Sequence, residues 1–167
     1  DFSVKGETVA PTETEEGYTV YQCSRCDATE HRDIVPAIGH KCASKDFSDL
    51  NPAQWYHPYT DYVLEHGLMI GVGNGRFSPN GKVTRAQLVT TLYRLAGEPK
   101  VTELSTFTDV RENQWYAKAV AWAQDVGVAK GITDTIFRPD APVTREQAAT
   151  FLYRYITGYL KQEPVKG

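Results

Sequence analysis

The stretch that decides the fold is VTRAQLVTTLYR at residues 83–94, because it returns as VTREQAATFLYR at residues 143–154. Extending the comparison at the same offset of 60 gives 17 identities in 48 positions between residues 47–94 and 107–154. The identities fall at glycines, at aromatic residues and at one predicted helix start. A period of this length is typical of proteins built from tandem structural repeats.

The repeated stretch itself predicts a helix. In the first copy Thr84 is followed three residues later by Gln87, which is the pattern of a capping box, and apolar residues then recur at helical spacing around Leu92. An earlier helix is predicted to begin near His57, with proline in its first turn, and to end at Gly67. Each repeat is therefore predicted to be a helix, a glycine-rich loop with one short extended piece, and a second helix.

The chain divides into four parts by this pattern. Residues 1–46 hold all three cysteines and are predicted to form a small separate module. The first repeat takes residues 47–100 and the second takes residues 107–160. The tail at 161–167 has the composition of the connector between the repeats, so we expect it to lead toward a further repeat.

Composition excludes several classes of function. The chain has 167 residues, 41% of them hydrophobic, a formal net charge of -3, and no apolar run of membrane-spanning length. Its first residues do not have the pattern of a signal peptide, so we expect mature or excised material. The charge argues against nucleic acid as a partner, since such binding depends on clustered cations. No carboxylate pair, activated nucleophile or phosphate loop stands at a spacing that indicates an enzyme.

Arginine at the start of both repeated helices is the strongest chemical signal in the chain. A cation there opposes the helix dipole by about 0.3 to 1 kcal/mol, so helix stability does not explain it. Together with the N–H groups of a helix N-terminus, Arg85 and Arg145 predict a site for a carboxylate or a phosphate. The alternative is a structural ion pair with Asp49 or Asp109.

The N-terminal module is predicted to be a small β-hairpin. Residues 17–22 and 29–35 alternate like two strands, and the segment between them has the form of a metal-binding knuckle. Four residues could complete a tetrahedral zinc site: Cys23, Cys26, His40 and Cys42. The alternative is a disulfide of Cys42 with Cys23 or Cys26, which would leave one free thiol.

Taken in order, the repeated motifs resemble S-layer homology domains, the modules that hold surface proteins on bacterial cell walls. The matching pieces are FSD and FTD with Trp-Tyr behind them, GLMIG and GVAKG, FSP and FRP, and VTRAQ and VTREQ. They cover about two thirds of the chain, and they depart from the family at Gln87 and Gln147, where glutamate is usual. The segment ending in Ile38-Gly39-His40 resembles a cysteine-containing repeat of Gram-positive surface proteins.

The resemblance implies a mainly α fold, in which helix-loop-helix repeats form part of a pseudo-threefold bundle. Such bundles use three repeats, so we expect either a third repeat in the parent protein or association of chains. The implied function is non-covalent anchoring, outside the cell, to a secondary cell-wall polysaccharide that often carries pyruvate ketals. The alternative is an adhesive or carbohydrate-binding surface protein that recognises a foreign glycan.

The resemblance also implies eight ligand-binding residues. In the first repeat they are Asp49, Trp55, Gly71 and Arg85, and in the second they are Asp109, Trp115, Gly131 and Arg145. The arginines would pair with the ketal carboxylate, the tryptophans would line a groove, the aspartates would accept sugar hydroxyls, and the glycines would let the backbone approach. The alternatives are core packing for the tryptophans and a positive φ for the glycines.

Two expectations about stability follow from the sequence. Removal of Arg85 and Arg145 is expected to weaken wall binding and to leave thermal stability unchanged or slightly raised, because the conflict with the helix dipole is relieved. Leu92 and Leu152 occupy matched positions in the second helices, and both are expected to be deeply buried.

Overall fold

The computed structural model describes residues 2–12, 14–35 and 42–162, and the chain forms two compact units. The first unit is Asp1–Ala43 and the second is Ser44–Gly167. The division lies close to residue 46, where the repeat pattern predicted the end of the cysteine-containing module. His40 of the predicted zinc site lies outside the described residues.

The N-terminal unit is a three-stranded antiparallel sheet with the strands in chain order. Its strands are β1 (Phe2–Val9), β2 (Gly17–Cys23) and β3 (Thr29–Val35). The hairpin of β2 and β3 agrees with the prediction, and it closes where the Cys23 amide donates to the Ala28 carbonyl at 2.9 Å. Strand β1 was not predicted, because its polar sequence has little to bury and its stability comes from pairing with β2.

The described part of the second unit contains four α-helices, two from each repeat. They are α1 (His57–Glu65), α2 (Arg85–Leu95), α3 (Ala117–Asp125) and α4 (Arg145–Tyr153), and a π-helical segment at Arg154–Tyr159 continues α4. Helix α1 begins with a proline in its first turn and ends before Gly67, whose φ is +63°, as predicted. At α2 the Gln87 amide donates to Thr84 Oγ1 at 3.2 Å, and the Thr84 amide donates to Gln87 Oε1 at 2.8 Å. The predicted capping box is therefore confirmed there.

The hydrophobic core lies between the repeats, where α2 of the first repeat packs against α3 of the second. Leu92 is 3% exposed, which confirms its prediction, whereas Leu152 is 46% exposed, so that prediction is wrong. Helix α4 instead turns Phe151 into the core, and the π-helical segment that continues it turns Tyr155 there. The two leucines differ because α3 covers the outer face of α2, and no described helix covers the matching face of α4.

The predicted fold class, mainly α, is wrong. Among the described residues, helix accounts for only 31% and strand for 17%. Strand content is higher than expected because β1 adds a third strand to the predicted hairpin. Helix content is lower because each repeat has a non-helical opening segment before its first helix and a long loop, 66–84 or 126–144, between its two helices.

Candidate functional site

An aspartate near the start of each repeat fixes the loop that returns toward the second helix. The carboxylate of Asp49 accepts the amides of Phe77 and Ser78, both at 2.8 Å. Asp109 accepts the amides of Phe137 and Arg138 at 2.9 and 2.7 Å. The hydrogen bond from the Phe77 amide is the main cause of the lowered pKa of Asp49, and burial opposes it. Both aspartates thus stabilise loop structure, and a contact with sugar hydroxyls stays a prediction.

The glycine after the first helix of each repeat is required by close packing. A Cβ at Gly71 would lie under 3.0 Å from the Phe47 ring, and a Cβ at Gly131 would lie under 3.0 Å from the Phe107 ring. Neither glycine has a positive φ, so that explanation for their conservation between repeats does not hold. The opening phenylalanine and nearby backbone carbonyls, that of Arg76 at Gly71 and those of Thr133 and Ile136 at Gly131, therefore leave no room for a side chain at either glycine.

The two repeated tryptophans lie at the surface. Trp55 is 79% exposed and Trp115 is 60% exposed, so neither belongs to the core. Each indole meets the ring of the next tyrosine edge to face, with centroids 5.8 Å apart in the first repeat and 5.1 Å apart in the second. That contact holds one side of the indole and leaves the rest of it open to a ligand. The core tryptophan of the protein is Trp122, 3% exposed.

Arg85 joins the two repeats and is not open to a ligand in this structure. It is 3% exposed, its Nε donates to the Phe137 carbonyl at 2.8 Å, and its Nη2 donates to the Lys130 carbonyl at 2.9 Å. The guanidinium also lies over the rings of Phe137 and Phe151, at 4.6 and 5.2 Å from their centroids. Burial lowers the pKa of Arg85, and the carboxylate of Asp109 acts against that shift.

The N-terminus of α2 is closed by the second repeat in the same way. The amides of Arg85 and Ala86 donate to the carbonyls of Ala141 and Pro139, both at 2.9 Å. These are amides that a helix cannot satisfy internally, and here a neighbouring loop satisfies them. Arg145 occupies the matching position on α4, where it is exposed. A ligand role for Arg145 stays a prediction.

A surface groove of about 570 Å³ surrounds the indole of Trp115, and we call it the Trp115 groove. Its lining residues are Asp109, Arg111, Gln114, Trp115, Tyr116, Arg138, Pro139, Asp140 and Ala141. The groove brings together two predicted residues, Asp109 and Trp115, with two arginines that were not predicted. Arg111 and Arg138 escaped notice because Asn51 and Ser78 stand at the matching positions of the first repeat.

A second cavity, of about 550 Å³, lies on the first repeat, and we call it the first-repeat cavity. The glycine-rich loop and α2 form most of its wall, and Trp115 closes one side. It brings together Gly71 and Trp115, two of the residues that the family resemblance implied as ligand-binding. Lys82 and Arg94 are the ionisable residues among those that line it.

The structure describes three of the four predicted metal ligands, Cys23, Cys26 and Cys42. The thiols of Cys23 and Cys26 are hydrogen-bonded to each other, and the pKa of Cys23 is lowered, chiefly by the Arg25 amide and then by Cys26. No disulfide joins any two of the three cysteines. Among the described residues, Cys42 does not join Cys23 and Cys26 in a three-ligand group. A zinc site that includes His40 therefore stays a prediction.

Comparison with known proteins identifies the family. The profile of the S-layer homology domain matches residues 46–89 and 106–149, which together are more than half of the chain. An S-layer protein of Bacillus thuringiensis subsp. finitimus is 32% identical over 115 residues, which cover 67% of this chain and 14% of that protein. A surface layer protein of Brevibacillus choshinensis is 36% identical over 97 residues, or 56% of this chain and 9% of that protein.

A third relative is described by its attachment role. The cellulosome-anchoring protein of Acetivibrio thermocellus is 29% identical over 133 residues, which cover 76% of this chain and 28% of that protein. The chain thus spans a small part of the length of the relatives it matches. No described helix has the length and apolar character needed to cross a membrane. With both repeats matched in full order, the chain belongs to the S-layer homology domain family.

Proposed function

We propose that this chain anchors a surface protein to the bacterial cell wall by binding a secondary cell-wall polysaccharide without a covalent bond. The chain is extracellular and associated with the cell wall. Relatives named as S-layer proteins and as a cellulosome-anchoring protein support anchoring as its role, in preference to catalysis.

The Trp115 groove is the observation that carries the proposal. A 60% exposed indole stands there beside side chains of both charges and a side-chain amide. Saccharide sites combine an aromatic face, on which the C–H side of a sugar ring packs, with a few fixed polar groups that bind hydroxyls. Gln114 and Asp140 can bind hydroxyls, and the arginines can bind a negative substituent.

A pyruvate ketal is the substituent we propose for the bound polymer. Its carboxylate would meet Arg111 or Arg138, which are exposed at the groove, and would take up both hydrogen-bonding edges of a guanidinium. Asp109 also faces the groove, but its two oxygens already accept loop amides, so its main contribution is to hold Arg138 in place. Arg85 is engaged between the repeats and contributes to the fold of the groove through Phe137.

Binding to purified cell walls tests the proposal. The wild-type chain should sediment with walls and should lose this binding when acid removes the secondary polymer. Trp115→Ala should weaken binding strongly, and Trp55→Ala is the matched control, because that indole is also largely exposed and is not among the residues that line the groove. Arg111→Ala together with Arg138→Ala should weaken binding to pyruvylated polymer more than to polymer freed of pyruvate.

Two results would contradict the proposal. Undiminished binding to acid-stripped walls would show that the polymer is not the ligand. Failure to bind any wall of the host, together with binding to another organism's glycan, would favour an adhesive role. Both outcomes can be read only if the variants keep the wild-type melting temperature, which exposed positions should allow.

A further inference from the structure

The first repeat carries the same frame of residues as the Trp115 groove. The offset of 60 maps the nine residues that line the groove onto the first repeat, and five of them are identical there: Asp49, Gln54, Trp55, Tyr56 and Pro79. The shared residues include the exposed indole and the side-chain amide that a saccharide site uses. This frame alone therefore does not distinguish the two repeats.

One of the positions at which the repeats differ has the same backbone in both. In each repeat the aspartate that fixes the loop accepts two amides at 2.7 to 2.9 Å, and the second amide belongs to Ser78 or to Arg138. Both residues have a left-handed backbone, with φ of 61° at Ser78 and 58° at Arg138. Residues with a side chain rarely adopt this φ, and the hydrogen bonds to the aspartate stabilise it. An arginine and a serine thus stand at equivalent points of the two loops.

A second differing position opens a turn in both repeats. The carbonyls of Asn51 and Arg111 accept the amides of Gln54 and Gln114, both at 3.1 Å. The Asn51 side chain also accepts the Ala53 amide at 2.9 Å, so its carbonyl oxygen is already used within the turn. Among the described residues, the Arg111 side chain makes no bond of this kind, and it lines the Trp115 groove. The same turn thus presents a guanidinium in the second repeat and a locally bonded amide in the first.

The two frames differ in charge because of these positions. Arg111 and Arg138 are exposed at the Trp115 groove, and within the described ranges neither side chain forms an ion pair. The loop of the first repeat carries Arg76 instead, whose Nε lies 3.5 Å from Oδ2 of Asp49, and Ile136 stands at the matching position of the second repeat. The carboxylate of Asp49 offsets the positive charge of Arg76. The two arginines of the groove therefore have no equivalent on the frame of the first repeat.

We propose that, of the two matching frames, only that of the second repeat selects the anionic unit of the polymer, and that Arg111 and Arg138 determine this selection. The inference rests on the proposed function and assigns the binding of the acidic substituent to one repeat. Hydrogen bonds between charged partners are about twice as strong as those between neutral ones, so two guanidinium groups favour a carboxylate. Asn51 and Ser78 offer neutral groups at the same positions, and these do not favour a carboxylate over a hydroxyl group.

An exchange of side chains between the repeats tests the inference by titration calorimetry on the whole chain. The probes are a pyruvylated fragment cut from the wall polymer and the same fragment after acid has removed its pyruvate. The wild type should prefer the pyruvylated fragment at least about 10-fold, as expected of charge-assisted hydrogen bonds. Arg111→Asn together with Arg138→Ser gives the second repeat the side chains of the first, and this variant should lose the preference. Both positions are exposed, so its melting temperature should equal that of the wild type.

The reverse exchange should move the selection to the first repeat. Asn51→Arg and Ser78→Arg, added to the first exchange, should restore the preference for the pyruvylated fragment. Binding should then be lost in Trp55→Ala and kept in Trp115→Ala, whereas the wild type should lose it in Trp115→Ala and keep it in Trp55→Ala. The turn and the left-handed position both hold arginine in the second repeat, so the first repeat can accept the same side chains.

The outcomes separate this inference from the proposed function. A preference that survives the first exchange overturns the inference, and so does a folded chain with both exchanges that shows no preference. If the second exchange prevents folding, the first exchange decides alone. A wild type that binds the wall polymer equally well with and without pyruvate overturns the inference and leaves wall anchoring intact. A wild type that binds neither fragment nor the wall contradicts the proposed function, and the inference fails with it.

Discussion

Replacement of Arg85 by alanine should destabilise the repeat unit, and the same change at Arg145 should not. Arg85 is 3% exposed and donates two hydrogen bonds, to the carbonyls of Phe137 and Lys130, whereas Arg145 is exposed. The expectation from sequence that neither arginine affects stability therefore applies to Arg145 alone. The two variants form a matched pair, because both remove a first-turn cation from a helix with a threonine cap.

The size of the effect follows from the contacts of Arg85. A hydrogen bond from a charged donor contributes about 1.5 to 3 kcal/mol, and Arg85 makes two, the Nε bond being buried. Its contacts with two aromatic rings add about 0.5 to 1 kcal/mol each. Removal of the cation from the positive end of the helix dipole offsets about 0.3 to 1 kcal/mol of this loss. We therefore expect Arg85→Ala to cost about 3 to 8 kcal/mol, and Arg145→Ala to change stability by less than about 0.5 kcal/mol.

Tryptophan fluorescence is the assay of choice. All three tryptophans lie in the second unit, so the signal reports unfolding of the repeats and is blind to the N-terminal sheet. The melting temperature should fall by more than about 10 °C in Arg85→Ala. Arg85→Lys should recover only part of this loss, because an ammonium cannot reach both carbonyls with the planar geometry of a guanidinium. Equal melting of the two alanine variants would refute the assignment of Arg85 as a link between repeats.

Three further outcomes are expected. Leu92→Ala should lower the free energy of unfolding by about 2 to 5 kcal/mol, and Leu152→Ala should lower it by less than about 1 kcal/mol, as measured by denaturant unfolding. Equal losses would contradict the observation that Leu92 is buried and Leu152 is exposed. The pKa of Asp49 is lowered in the folded state, so its stabilisation is full above its unfolded value of about 3.9 and is lost as pH falls through the folded value. In Asp49→Asn the free energy of unfolding should therefore fall less steeply as the pH is lowered into the acid range. The same fall as in the wild type would show that the Asp49 carboxylate does not stabilise the loop. If the three cysteines and His40 bind zinc, protein purified without chelator should contain about one metal per chain, and chelation should unfold the N-terminal unit only. Metal-free protein with intact β-sheet would argue against the site.

Features determined by neighbouring residues were predictable from the sequence. The capping box at Thr84 and the helix start at His57 depend on contacts within one turn, and both lie where the pattern predicted. The exposed tryptophans and the close glycines were identified as important because they recur. Their reasons, an open indole and a ring packed against the backbone, depend on contacts that no local pattern contains.

Features determined by distant partners were not predictable. Arg85 meets carbonyls 45 and 52 residues away along the chain, so its sequence context could not distinguish an open anion site from a buried link. Leu152 and Leu92 share the same motif, but their burial depends on which helix follows in space. Strand β1 depends on pairing with β2, and the two arginines of the Trp115 groove lack counterparts in the first repeat.

The position of the core has a consequence for the order in which the protein opens. The buried apolar cluster begins at Ala86 and runs to Tyr155, so α1 and the loop that follows it contribute no residue to it. Amide hydrogens of α1 should therefore exchange with solvent through local opening at low free energy, while those of α2 and α3 should exchange only on global unfolding. The first half of the first repeat would be the last part to acquire protection during refolding, and any partner that covers α1 would slow its exchange without changing the rest.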